Sequence, residues 1–172
     1  MTILEGMRLG VISVTKAVAA AGNYAAEDVL SENAGAGQGT AWTFSGVVDV
    51  EGGTGYITKA HVICETTALT PRLTLFLFSA TPTGELDDNA ANNNPIHADL
   101  ANYLGKIDFP AMEDLGGDSE AIASPSTVGN LPLAIKCAAG SKALYGVLVT
   151  RDAITGESAG DDYTIVLTAE RY

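Results

Sequence analysis

The side chains most able to bind a metal ion are clustered between positions 85 and 94. Calcium prefers several oxygen ligands from one loop. The ligand order of a helix–loop–helix calcium site is absent, because Asp88 is followed by Ala90 and Asn92 with no glycine and no terminal glutamate at the required offsets. We therefore expect a solvated loop, with a calcium site as the alternative. The cluster consists of Glu85, Asp87, Asp88, Asn89, Asn92, Asn93 and Asn94.

The two histidines, His61 and His97, are the next candidates. Neither has a second histidine at ligand spacing, which argues against a histidine metal centre. The strand pattern around His61 places it on an outward face with Lys59 and Ile63. His97 is expected to begin or cap a short helix.

A glycine-rich segment, Gly35–Gly39, is similar in spacing to a dinucleotide-binding loop. Such a loop must follow a strand and open a helix, whose N-terminus holds the pyrophosphate. Here a strand containing Trp42 follows it, so we expect a surface loop. A Gly-x-Ser-x-Gly nucleophile elbow is also absent from the sequence. We predict no catalytic residue, no cofactor and no metal; an enzyme with an unfamiliar site would instead show perturbed carboxylates in a deep pocket.

The two cysteines, Cys64 and Cys137, lie far apart in apolar surroundings. Small buried core residues are the expected role for such thiols. A disulfide between them is left open, since nothing in the sequence requires one.

The charge of the chain is one-sided. Nine Lys and Arg residues face 21 Asp and Glu residues, which gives a net charge of −12. This balance argues against binding to nucleic acid or to anionic membranes, both of which require basic side chains. Charged residues are only 17% of the chain, against about a quarter in an average domain. We therefore expect a partner to cover part of the surface.

The segments between turn signals alternate as strands do, with one weak helical pattern from Pro95 to Leu104. We predict one all-β domain over residues 1–172, an antiparallel β-sandwich of eight to nine strands, jelly-roll-like, with long loops and at most one short helix. An immunoglobulin-like topology is the alternative. The predicted strands are Leu9–Val18, Trp42–Val50, Tyr56–Glu65, Arg72–Ser79, Leu104–Phe109, Leu131–Cys137, Ala143–Thr150 and Tyr163–Ala169.

Two of these segments carry specific expectations. Trp42–Val50 and Tyr56–Glu65 flank a glycine-rich turn and are predicted to form a hairpin, with Trp42 and Tyr56 on the core side. Arg72–Ser79 is apolar on both faces, which predicts a central strand or a strand facing a partner. Pro110–Val128 is acidic and is predicted to be a loop.

The N-terminal residues are apolar without a clear strand phase. Residues 1–9 are predicted either to form an extended arm on a neighbouring subunit or to begin the first core strand. A signal peptide is not expected, because Glu5 and Lys16 interrupt the pattern, so we expect synthesis and assembly in the cytoplasm. The predicted partner-binding side chains are Ile3, Leu4, Met7 and Leu9.

Several segments in order resemble a family of virion structural proteins from tailed bacteriophages. The resemblance runs from Ala26 to Arg151 with wide gaps, and none of its segments is a catalytic motif. The segments are Ala26–Ser31, Trp42–Phe44, Gly52–Ile57, Leu73–Thr83, Asp88–Ala91 and Leu144–Arg151.

This resemblance implies a non-enzymatic β-sandwich on the phage particle, most simply a capsid decoration or cement protein on the virion surface. Its partners would be the major capsid protein or other virion proteins. Independently of the resemblance, the apolar segment Arg72–Ser79, the apolar N-terminus and the low charge content predict a homo-oligomer, for which a trimer is the suggested arrangement. The alternatives are a tail or head-fibre component and a carbohydrate- or receptor-binding module, which would show an aromatic-lined groove.

Overall fold

Two antiparallel sheets pack face to face in a computed structural model of the chain, which describes residues 8–19, 23–125, 130–156 and 160–172. The strands are β1 (Arg8–Ala17), β2 (Val29–Leu30), β3 (Trp42–Phe44), β4 (Thr54–Cys64), β5 (Arg72–Phe78), β6 (Tyr103–Ala111), β7 (Glu113–Asp114), β8 (Ser119–Ala123), β9 (Leu133–Lys136), β10 (Leu144–Thr150) and β11 (Asp162–Arg171).

The larger sheet has the order β1-β11-β4-β8-β7, with β9 also paired to β4. The smaller sheet has the order β2-β10-β5-β6, with β3 also paired to β10. The predicted antiparallel β-sandwich is confirmed. The strands beyond the predicted eight or nine include two of only two residues each, β2 and β7. In the described part of the chain, the predicted short helix is a 3₁₀ turn, His97–Asp99.

The core lies between the sheets and follows the period of two that strands impose. In β11, Tyr163, Ile165, Leu167 and Ala169 are buried, and the residues between them are partly exposed. The indole of Trp42 is also buried, and its N–H donates to the carbonyl of Leu30 at 3.1 Å.

The predicted hairpin between Trp42–Val50 and Tyr56–Glu65 is wrong. Only Trp42–Phe44 forms a strand, and it pairs with β10 in the smaller sheet, while β4 belongs to the larger one. Gly46 has a φ of 72° and lies in the turn that follows β3. The glycines of a hairpin turn are present in the sequence. Trp42–Phe44 nevertheless pairs with residues about a hundred positions later, and this pairing places it in the smaller sheet.

A β-bulge in β4 changes which side of the strand faces the core. Lys59 pairs with Thr168 and Ile57 with Ala169, so Thr58 is an extra residue between two consecutive pairs. Ile57 is therefore buried and Tyr56 points outward, 41% exposed. The prediction that Tyr56 faces the core is wrong for this reason.

The segment Pro110–Val128, predicted to be a loop, contains β7 and β8. β8 has the sequence Ser-Glu-Ala-Ile-Ala, which has weak strand propensity, but it pairs with Ala60–Cys64 of β4. The buried hydroxyl of Ser119 accepts from the N–H of Leu69 at 3.0 Å and donates to the carbonyl of Thr66 at 2.8 Å. Residues 126–129 of this segment lie outside the described residues.

β5 is central in the smaller sheet and buried on both faces. Leu73, Leu75 and Leu77 enter the main core, while Phe76 and Phe78 point to the opposite face. There they pack with Val29, Val147 and Val149, and Leu86 and Tyr103 cover this second cluster. The chain itself covers the apolar face of β5, so a partner is not needed there.

Candidate functional site

Of the four predicted partner-binding residues, the structure describes Leu9. It is the second residue of β1, and its side chain is 66% exposed. Arg8 and Leu9 therefore belong to the first strand of the sandwich. This agrees in part with the prediction that residues 1–9 begin the first strand. Ile3, Leu4 and Met7 lie outside the described residues.

β1 forms an edge of the larger sheet and pairs along its whole length with β11, without a register shift. The outward side chains are Leu9, Val11, Ser13 and Thr15, which alternate with the inward Gly10, Ile12, Val14 and Lys16. Val11 is as exposed as Leu9, at 66%. Two large aliphatic side chains two residues apart on an exposed edge form a small apolar surface, which we call the β1 edge.

The outer face of the larger sheet continues this surface. Leu9 and Tyr56 flank Glu170 on neighbouring strands, and Ile122 lies beside His61 further along the sheet. Tyr56 meets Tyr172 edge-on, with ring centroids 6.2 Å apart and an interplanar angle of 85°. An edge-on pair is not the flat aromatic platform that a carbohydrate-binding face uses.

The other end of β1 is anchored by Lys16. Its ammonium donates to Glu32 at 2.5 Å and to the carbonyl of Thr40 at 2.5 Å, and it lies 5.5 Å from the ring centroid of Trp42. Burial lowers the pKa of Lys16. Burial alone would raise the pKa of Glu32, but hydrogen bonds from Lys16, Thr40 and Ser31 bring it to about 2. Both groups are therefore ion-paired at neutral pH, with no free proton acceptor at this site.

Gly10 leaves room for the guanidinium of Arg171 beneath β1. A Cβ at position 10 would fall on that guanidinium. Arg171 also contacts Asp49 through Nη1, at 3.3 Å. The side chain of Arg171 thus links the last strand to the turn after β3, under a glycine of the first strand.

The acidic loop accepts hydrogen bonds from the backbone of the glycine-rich segment. Asp87 accepts hydrogen bonds from the N–H groups of Gly37, Gln38 and Gly39 at 2.7–3.0 Å. Bonds from Gly39 and Gly37 lower the pKa of the Asp87 carboxyl. The glycine-rich segment is therefore a surface loop, as predicted. Its N–H groups form an anion-binding nest that the chain's own carboxylate fills.

Asp88 is the buried member of the acidic loop. Its carboxylate accepts from the Tyr24 hydroxyl at 3.0 Å and from the N–H of Ser31 at 2.7 Å. Burial raises the pKa of Asp88 to about 6, and the charges of Glu32 and Asp28 add to the rise. Asp88 thus fastens the loop that covers β5 to Tyr24 and Ser31, which lie before and after β2. The sequence predicts a solvated loop at this position. Asp88 is buried instead, because its partner Tyr24 lies sixty-four positions away in the chain.

The carboxamides of the loop also bond internally. Asn93 accepts from the N–H of Glu85 at 2.7 Å, and Asn92 accepts from the N–H of Asn94 at 2.9 Å. Within the described ranges, no group of three or more His, Cys, Asp or Glu side chains could hold a metal ion. The oxygen atoms of this cluster are largely engaged in holding the loop together.

The two histidines occupy unrelated places. His61 lies on the outer face of β4, and its Nε2 is 2.8 Å from Oε2 of Glu120 on β8. His97 begins the 3₁₀ turn, as predicted.

Cys64 and Cys137 are both buried thiols, and burial raises the pKa of Cys137. These side chains are not gathered at one centre.

Three clefts on the surface are small and open. Two have volumes of about 130 Å³, and the third, of about 290 Å³, is lined by Arg72, Lys106, Asp108 and Arg151 among others. The three basic side chains of the third cleft are ion-paired, with Asp152, Asp108 and Glu27. Asp88, the carboxyl with the raised pKa, lines none of these clefts. Asp152 lines one of the two smaller clefts, where hydrogen bonds from Arg72 lower its pKa to about 2 and hold it as the carboxylate of an ion pair.

The described residues contain no helix that is long and apolar enough to cross a membrane. Comparison with models of known protein families gives no match, and comparison with curated protein sequences gives none either.

Proposed function

We propose that the protein is a non-enzymatic structural component of a tailed-bacteriophage virion, a capsid decoration protein that binds the head shell and stabilises it. The observation that carries the proposal is the β1 edge, where Leu9 and Val11 are each 66% exposed. It follows directly on the apolar residues Ile3, Leu4 and Met7.

The composition supports an outer position on a protein shell. A net charge of −12 disfavours contact with packaged DNA. Exposed aliphatic side chains favour contact with another protein surface, since their burial gains about 25 cal/mol per Å². The resemblance of the segments between Ala26 and Arg151 to phage virion proteins points to the same role.

Attachment through several weak sites suits such a protein. If the chain acts as a homo-oligomer, each copy presents the outward side chains of Leu9 and Val11, which strand pairing through the backbone leaves on the face of the sheet, and the linked copies bind more tightly than one through effective concentration. Apolar contacts are little weakened by salt, because screening affects charged groups. We therefore expect binding to particles to persist in moderate salt.

Particles that lack the protein can be mixed with purified variants to test the proposal. We expect Leu9→Ser to reduce occupancy on the shell at least several-fold. Leu100→Ser is the matched control, because Leu100 is 61% exposed but lies in the loop between β5 and β6. We expect that control to bind like the unmodified chain.

Cryo-electron microscopy of the particles should then place the chain on the outer surface of the head. Density on the tail or on fibres would instead support the alternative function, a tail or head-fibre component. Failure of the unmodified chain to bind any part of the particle would overturn the virion role altogether.

A further inference from the structure

We infer that β1 pairs with β1 of a second copy of this chain, antiparallel across a two-fold axis, so that the two larger sheets become one continuous sheet. This pairing concerns the purified protein and does not require the virion role. It rests on the edge itself, on its side chains and on the way the other edges are protected.

The open backbone of β1 is the first observation. β11 occupies one side of all ten residues. Among residues 8–19, 23–125, 130–156 and 160–172, no other segment forms a hydrogen bond with the backbone of Arg8–Ala17. A row of unpaired N–H and C=O groups matches the hydrogen-bonding pattern of another strand.

Three other strands at sheet ends are protected by known devices. β7 has only two residues, and both are exposed acids. β2 exchanges backbone hydrogen bonds with Asn89 and Ala90 of the covering loop, at 2.9 Å. β6 contains Pro110 and pairs with β5 through two register shifts. Edge pairing is usually prevented by a short strand, charged side chains, a covering segment, a proline or an irregular register.

Over residues 8–14, β1 has none of these devices except the exposed charge of Arg8 at its end. It is ten residues long, contains no proline and keeps an even register. Its one inward charge, Lys16, lies in the other half, where Glu32 and Thr40 hold it. Just beyond β1, the N–H of Ala19 donates to the carbonyl of Ser31 at 3.1 Å, whereas the N–H of Val18 donates to Asp161 on the β11 side. The segment that begins at Ser31 therefore occupies the far end of the open edge and limits pairing to the first half of the strand.

The register follows from that limit. A two-fold axis at Val11 places Val11 opposite its own copy and Leu9 opposite Ser13, and it uses the whole of residues 8–14. An axis one residue further on would place Arg8 opposite Lys16, and like charges directly opposite each other are destabilising. Between residues 9 and 13, the axis at Val11 places each aliphatic side chain opposite another aliphatic or small one. A second copy of the same strand therefore fits here.

We expect the pairing to be weak in dilute solution. A single short strand pair buries less surface than the ~1,600 Å² of a standard interface. A two-fold contact of this kind joins copies in pairs, and it can link larger oligomers as readily as single chains.

Oxidative cross-linking of the full-length protein tests the register. Directly opposed residues have Cβ atoms about 5 Å apart, close to disulfide distance. We expect V11C to form a disulfide dimer at least tenfold faster than L9C or S13C alone, and a mixture of L9C and S13C to link to each other. The unmodified chain, with its two buried thiols, gives the background rate.

Equal rates for the three single-cysteine variants would mean random collision and would overturn the register. A rate for V11C no higher than background would overturn the pairing itself. Sedimentation velocity gives a second measurement: V11K should lose the concentration-dependent dimer, because two lysines would face each other, whereas T15K should keep it. A dimer that survives V11K unchanged contradicts the inference.

Discussion

The outer face of the smaller sheet and the edge of the larger sheet both carry large apolar side chains away from the main core, yet only one of them is covered. Phe76 and Phe78 lie under Leu86 and Tyr103. Leu9 and Val11 remain exposed. Apolar residues outside the core therefore do not by themselves indicate a partner, because a long loop of the same chain can serve the same purpose.

The largest difference between the two regions should be in stability. Phe78 is fully buried, and its ring centroid lies 5.3 Å from that of Tyr103. We expect Phe78→Ala to lower the free energy of unfolding by about 3–5 kcal/mol, since it removes buried surface and leaves a cavity. Urea denaturation at neutral pH measures this change. A loss below ~1 kcal/mol would mean that the loop does not cover the ring in solution.

The cover over the smaller sheet should also depend on pH, because Asp88 fastens it. The native pKa of Asp88 is about 6, against 3.8 for the ordinary group. The native state therefore binds more protons than the unfolded state between these values, and the contribution of Asp88 to stability falls as pH rises from about 4 to 6. Asp88→Asn removes the ionisation while keeping an oxygen for the Ser31 N–H.

We expect the unfolding free energy of Asp88→Asn, relative to the unmodified protein, to rise by about 1–3 kcal/mol between pH 4 and pH 7. Asp87→Asn is the control. The pKa of Asp87 is lowered, so its contribution to stability is essentially complete above about pH 5 and its difference curve should be nearly flat from there to pH 7. A flat curve for Asp88→Asn as well would show that water reaches the Asp88 carboxyl in the folded protein.

The smallest effect on stability should occur at the open edge. Leu9 is 66% exposed, and exposed substitutions of this kind usually change the unfolding free energy by less than ~0.5 kcal/mol. We expect Leu9→Ala to remain within that limit in the same urea experiment. A cost above ~1.5 kcal/mol would show that Leu9 is buried in solution, and the contrast between the two regions would then disappear.

The sequence predicted those strands whose alternation is strong and uninterrupted. β1, β5, β10 and β11 lie within a few residues of their predicted bounds, because β-branched and large apolar side chains recur there with a period of two. The strand at β4 was predicted, but the face of Tyr56 was not, because one extra residue, Thr58, reverses the pattern at that end of the strand. The prediction failed at β8, whose small and polar side chains adopt a strand because β4 supplies the hydrogen bonds.

The candidate site was predicted less completely, for a similar reason. The apolar character of Leu9 was evident from the sequence, but whether it entered the core depended on the phase of β1. The role of Asp88 could not be found locally, since its partners Tyr24 and Ser31 come from a distant segment. The aspartate- and asparagine-rich loop also has the composition of a solvated turn, and composition does not distinguish a turn that binds water from one that binds the backbone.

The slot that Gly10 leaves for Arg171 has a consequence for evolution. Any side chain at position 10 would occupy the space of that guanidinium. A side chain at position 10 therefore requires the guanidinium of Arg171 to move aside or position 171 to become shorter, and either change would remove the ion pair between Arg171 and Asp49. Among descendants of this chain, we expect a side chain at position 10 to be accompanied by a change at position 171, although the two positions lie far apart in the sequence.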